Sequence, residues 1–130
     1  HRYAKKHAQT IRKAGAEPIF FMSWAYKDKP EMTEGLAAAY DKAGRDNKAR
    51  VIPAGLAFAN AVKARPDLEL YQRDKRHPTL AGTYLAAATT YATLYGKSPV
   101  GSSFISTLDA PTAQFLQQIA WDTVQARQKK

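Results

Sequence analysis

The sequence predicts an α/β fold with parallel strands, on three observations. Segments of helical periodicity alternate with short apolar runs in the order helix, strand, helix, strand, helix, the order that right-handed crossovers between parallel strands require. The first run is continuously apolar, as in a strand buried on both faces. A chain of 130 residues with 45% hydrophobic content supports one core and is too short for two ordinary domains.

Each element follows from local chemistry. The opening HRYAKKHAQTIRKAG reads as a helix already under way, without the charged head, apolar run and cleavage site of a signal peptide. Arg2, Lys5, Lys6, Arg12 and Lys13 share one face, and Ala4, His7, Ala8, Ile11 and Ala14 form the opposite stripe, up to a cap at Gly15. Pro18 to Trp24 is the first strand. After the polar turn Lys27-Asp28-Lys29-Pro30, a second helix is marked by Met32, Leu36, Ala39, Tyr40 and Ala43, with Gly44 as its weak point. Arg50 to Pro53 is the second strand. Ala54-Gly55 then turns the chain into a helix from Leu56 to Ala64, which ends at Arg65-Pro66.

An irregular stretch from Asp67 to Arg76 leads to Pro78, expected in the first turn of a long helix. Leu80, Tyr84, Ala87, Ala88, Tyr91 and Tyr95 mark its apolar face, and its small residues permit close approach to a sheet. A loop runs from Gly96 to Thr107. Asp109-Ala110-Pro111 opens the last helix, whose buried side is Phe115, Leu116, Ile119, Ala120 and Val124. Two parallel strands make a poor sheet, so further strands are expected, most naturally before His1. Residues 1–130 then read as a single partial domain, with an apolar sheet edge that favours self-association.

Composition excludes several functions. No apolar stretch reaches the roughly 18 to 20 residues of a membrane-spanning helix. The absence of cysteine rules out a disulfide framework and a thiolate zinc site, and leaves the compartment open, secreted and periplasmic locations included. The formal charge of +9 is spread over solvated helix faces and the basic tail Arg127-Gln128-Lys129-Lys130, without the basic-aromatic interleaving of single-strand binders. Nucleic acid is not the expected partner. His1 and His7 have no acidic partners at metal-ligand spacing, and neither a G-x-G-x-x-G nor a P-loop is present, so no metal or cofactor is expected.

The chemistry concentrates in Asp74-Lys75-Arg76-His77-Pro78. An aspartate three residues before a histidine in a polar loop can reach the imidazole locally. It would accept a bond from one ring nitrogen and stabilise the imidazolium, leaving the other nitrogen as general base. The spacing alone is a weak signal, since it also allows Asp74 to be merely a helix cap and His77 an exposed loop residue.

The block from Tyr71 to Leu85, YQRDKRHPTLAGTYL, resembles the last sequence block of SGNH (GDSL-like) hydrolases, Asp-x-x-His-Pro followed by a glycine-containing helix. Phe21 to Ala25 and Val51 to Phe58 are similar to the strand ends that precede it, especially in a poorly characterised bacterial branch, and the resemblance runs from about His1 to Gly101. It implies the C-terminal part of a flavodoxin-like three-layer α/β/α fold and hydrolysis of an ester, often an acyl or acetyl group on a carbohydrate or lipid. His77 matches the family's base and Asp74 the residue that orients it. The nucleophilic serine and the oxyanion donors belong to earlier blocks. No Gly-Asp-Ser occurs in this sequence, so the chain alone is expected to be inactive, its partner being the N-terminal part of the same domain.

Ser23 ends a strand on the edge where open parallel sheets place their sites, but Met22 and Trp24 flank it where a nucleophile elbow needs glycine. Ser98, Ser102 and Ser103 read as turn residues. Trp24 and Tyr26 are candidates for the wall of a substrate pocket, with core packing as the simpler reading. The competing function is a non-catalytic basic α/β domain that binds an acidic polymer.

Overall fold

The computed structural model describes residues 2–129, ordered α1 (Arg2–Lys13), β1 (Ile19–Phe21), α2 (Met32–Asn47), β2 (Arg50–Ile52), α3 (Ala54–Ala64), α4 (Leu80–Tyr95) and α5 (Ala110–Gln128). The strands pair in parallel, Ile19 opposite Arg50 and Phe21 opposite Ile52. The class is mixed α/β, with the alternation read from the sequence.

The core lies among α3, α4 and α5 and the segment leading into α4. Phe58, Leu70, Leu85 and Leu116 are at most 1% exposed, and each such side chain contributes about 1.5 to 3 kcal/mol by leaving water. Asp109 starts α5 by accepting from the Thr112 amide at 3.0 Å. Buried hydroxyls turn back on their own helices, Thr89 to the Leu85 carbonyl (2.8 Å) and Thr123 to that of Ile119 (2.7 Å). The buried Gln117 amide instead crosses to the α4–α5 loop. It accepts from the Gly101 amide at 3.0 Å and donates to Tyr84 Oη at 2.8 Å and to the Ser102 carbonyl at 3.1 Å.

The other side of the molecule is thinly covered. Ala8 is the buried residue of α1, which is tied to α2 by Arg12, donating to the Asn47 carbonyl at 2.5 Å and the Lys48 carbonyl at 3.0 Å.

Several expectations need correction. His7, Ile11 and Ala14 are exposed, because α1 packs on one neighbour. The strand Ile19–Phe21 is not buried on both faces: Ile19 and Phe20 are half-buried and Phe21 is 43% exposed. Gly44 is no weak point: a Cβ there would lie 2.8 Å from Val51 Cγ2 and 3.0 Å from the Ala49 carbonyl, so it lets α2 approach β2. Ala54 and Gly55 are the first residues of α3, not a turn. Pro78 precedes α4, whose cap is Thr79, accepting from the Gly82 amide. The buried face of α4 is Ala81, Gly82, Leu85, Ala86, Ala88, Thr89 and Ala92, while Leu80, Ala87, Tyr91 and Tyr95 face outward. Close contact with α3 and α5 selects the small residues over the large ones. His1 and Lys130 lie outside the described residues.

Candidate active site

The candidate site is built by the segment between α3 and α4. Leu70 and Tyr71 are buried, and Tyr71 bridges Pro78 in antiparallel fashion. The Gln72 amide donates to the His77 carbonyl at 2.8 Å and the Thr79 amide to the Leu70 carbonyl at 3.0 Å, while Gln72 Nε2 donates to the Pro78 carbonyl at 3.0 Å. Residues 72–77 are thereby closed into a tight loop. Its reversal sits at Lys75, which takes a left-handed conformation at φ 63°.

Asp74 organises this loop from inside. Its Oδ1 accepts from the backbone amides of Arg76 and His77, each at 3.0 Å, the Asx arrangement for which short carboxylates are suited. Its Oδ2 pairs with His77 Nδ1. With Nδ1 engaged, Nε2 is the ring nitrogen left for a reacting group, on a side chain that is 74% exposed. The imidazole bond, followed by the two amides, holds the Asp74 carboxyl well below the usual carboxylate range.

Long-range contacts fix the loop against the segment that leaves β1. Lys27 donates its amide to the Lys75 carbonyl at 3.0 Å. Tyr71 Oη donates to the Ala25 carbonyl at 2.9 Å. Trp24 is half-buried, stacked on Phe58 with ring centroids 4.3 Å apart, and its Nε1 donates to the Arg76 carbonyl at 2.9 Å. Trp24 therefore braces the loop with its polar edge while its ring packs on the core. Gly82 makes the docking possible, since a Cβ there would lie 2.4 Å from the Leu70 carbonyl oxygen. The loop thus stands at the carboxyl end of the strands, the edge where open parallel sheets bind ligands.

A hollow of about 550 Å³ opens on the same edge, with Ala25, Gly55, Ala59 and Val62 among its apolar lining and Tyr26 and Lys27 on its wall. Tyr26 also carries the Arg76 guanidinium, 4.5 Å from its ring centroid. A second hollow, about 630 Å³, lies between α4 and the following loop and takes in Ser98, Ser102 and Ser103. Ser23 is exposed just after β1. Among the described residues no serine hydroxyl hydrogen-bonds to His77, and no group of three or more potential metal ligands is gathered.

The structure thus unites Asp74 and His77 and attaches Trp24 to them through the Arg76 backbone, while Ser98, Ser102 and Ser103 lie along another cavity. Tyr71 and Gln72 hold the pair without a role having been assigned to them from the sequence, and Arg76 stood there only as a member of the Asp74–Pro78 run. A local signal for Tyr71 was available, since Leu68, Leu70 and Tyr71 are apolar residues in a stretch whose other members are polar.

No family model matches the chain, and no curated protein matches it. Among solved structures, a DUF4886 family protein from Bacteroides uniformis is similar, with a TM-score of 0.76 and 22% sequence identity over 95% of this chain and 54% of that one. The two share a fold, and this chain spans about half the length of that structure.

Proposed function

We propose that this chain supplies the general base and its orienting acid to an SGNH-type ester hydrolase, within a flavodoxin-like three-layer domain. The observation that carries the reading is the pairing of Asp74 Oδ2 with His77 Nδ1 on a braced loop at the carboxyl end of parallel strands, with the imidazole exposed. His77 Nε2 accepts the proton of a serine hydroxyl as that oxygen attacks the ester carbonyl. It then returns the proton to the departing alcohol. Water repeats the cycle on the acyl-enzyme. Asp74 stabilises the imidazolium in both halves. The serine and the oxyanion donors come from a Gly-Asp-Ser-type segment outside these 130 residues, and the substrate is an acyl or acetyl ester of a carbohydrate or lipid.

The test is hydrolysis of 4-nitrophenyl acetate by the polypeptide of the whole reading frame that contains the chain. His77→Ala is expected to lower kcat by about 10³-fold or more, and the 130 residues alone should give only the buffer rate. Equal turnover by wild type and His77→Ala, or no turnover by the whole polypeptide, would sink the reading.

A further inference from the structure

The two loops that meet at the candidate site, residues 24–31 and 69–77, carry five cations, Lys27, Lys29, Arg73, Lys75 and Arg76. Lys27 is paired with Glu69, and Lys75 approaches Asp28 at 3.6 Å. Arg76 is different. It lies over the Tyr26 ring and donates from Nη1 to the backbone two residues earlier, the Asp74 carbonyl, at 2.9 Å. Arg50, Arg65 and Arg127 each meet a carboxylate, of Glu17, Asp67 and Asp41 respectively. Among the described residues Arg76 pairs with none, and neither do Lys29 and Arg73 of the same loops, so what sets Arg76 apart is its seat on the Tyr26 ring beside His77. The carboxylate nearest in sequence, Asp74, has both oxygens committed to the His77 ring and to two backbone amides.

A guanidinium held on an aromatic face has already lost part of its rotamer freedom, so less ordering is needed when an anion docks on its remaining N–H groups. Its fork suits carboxylate or phosphate oxygens. The position also matters, because Arg76 adjoins His77 in the chain and shares Tyr26 with the 550 Å³ hollow. A net charge of +9 adds long-range attraction for anions without itself selecting a site.

We propose that Arg76, seated on Tyr26, binds an anionic group of the substrate, so that the ester processed at His77 belongs to an acidic carbohydrate bearing a carboxylate or phosphate. The role as a substrate anchor rests on the ester-hydrolase reading. Anion binding at Arg76 does not.

The experiment is a ¹H–¹⁵N and aromatic NMR titration of the polypeptide of the whole reading frame with glucose, glucuronate and glucose 6-phosphate, which differ only at the sixth carbon. At least one anion should shift the Tyr26 and His77 resonances saturably, and glucose should not. The tighter of the two identifies carboxylate or phosphate as the preferred group. Arg76→Gln should weaken binding by about tenfold or more, as loss of a charged hydrogen-bond partner does. Arg76→Lys, which keeps the charge but not the fork, should weaken it less, and Arg45→Gln on α2 should leave it unchanged. Equal shifts with glucose, or equal weakening by Arg45→Gln and Arg76→Gln, overturns the proposal. Binding to Arg76 combined with no His77-dependent hydrolysis would overturn the esterase reading alone; hydrolysis with no response to the anions would overturn the Arg76 assignment alone.

Discussion

The two sides of this molecule are held by different means. Where α3, α4 and α5 meet, Leu85 and Leu116 are fully buried and small residues bring the helices close. On the side of α1 and β1, a single alanine of the helix is buried, Phe21 is exposed, and polar ties hold the segment, Arg12 to the end of α2 and Arg50 of β2 to Glu17. The candidate site stands where these regimes meet, its loop rooted in the tight side through Leu70, Tyr71 and Gly82 and braced by Trp24 and Lys27 from the segment after β1. Stability and chemistry are therefore carried by different residues, a division that substitutions can test.

The largest effect is expected at the dyad. Asp74→Asn should lower kcat for ester hydrolysis by the whole polypeptide about 10³- to 10⁴-fold, because an amide cannot stabilise the imidazolium or hold its tautomer. Initial-rate kinetics decide this, and a loss confined to KM would point to a binding role instead. Next, Leu85→Ala should cost about 2 to 5 kcal/mol in urea unfolding, against less than about 0.5 kcal/mol for Ile11→Ala, at a side chain 37% exposed. Equal costs would abolish the contrast between the two sides. Gly82→Ala should cost about 1 to 3 kcal/mol by overpacking against the Leu70 carbonyl, and should displace the His77 amide resonance.

A smaller effect is expected at the brace. Trp24→Phe keeps a ring on Phe58 but leaves the Arg76 carbonyl without its donor, a loss of about 1 kcal/mol. The Asp74–His77 pairing, which is local, should persist in the His77 ring ¹⁵N shifts. The subtlest test uses pH. The depressed Asp74 pKa means that its ionised form is favoured by folding, a contribution complete above the ordinary value and lost as pH falls through the lowered one. At pH 3.8, the ordinary value for aspartate, a carboxyl ¹³C titration should still find Asp74 ionised, and half-protonation there would contradict the hydrogen bonding described for the loop.

The order of elements was legible because helical and strand periodicities change sharply at Gly15, Pro18, Arg50 and Pro66. The buried face of α4 was not. Periodicity weights Tyr91 and Tyr95 above Ala81, Gly82 and Ala92, whereas close helix packing needs the small residues inside and lets tyrosine face solvent. Asp74 and His77 could be read as a possible pair since they lie three residues apart. Their bracing could not, because the bonds from Trp24 and Tyr71 span 52 and 46 residues and leave no local signature. Pro78 was misplaced for a related reason: the bridge from Tyr71 captures it before the helix begins.

Gln117 carries a consequence for how this chain can vary. Its site offers one donor and two acceptors, so it is matched by a side chain with one acceptor and two donors at the same reach. Glutamate would set a charge against the Tyr84 oxygen and the Ser102 carbonyl, lysine could not receive the Gly101 amide, and asparagine is a methylene short. Of the twenty coded side chains, glutamine is the one that satisfies all three. The loop after α4 is thereby tied to a single position in α5, and mutational drift in that loop is constrained from a residue 16 positions beyond Gly101.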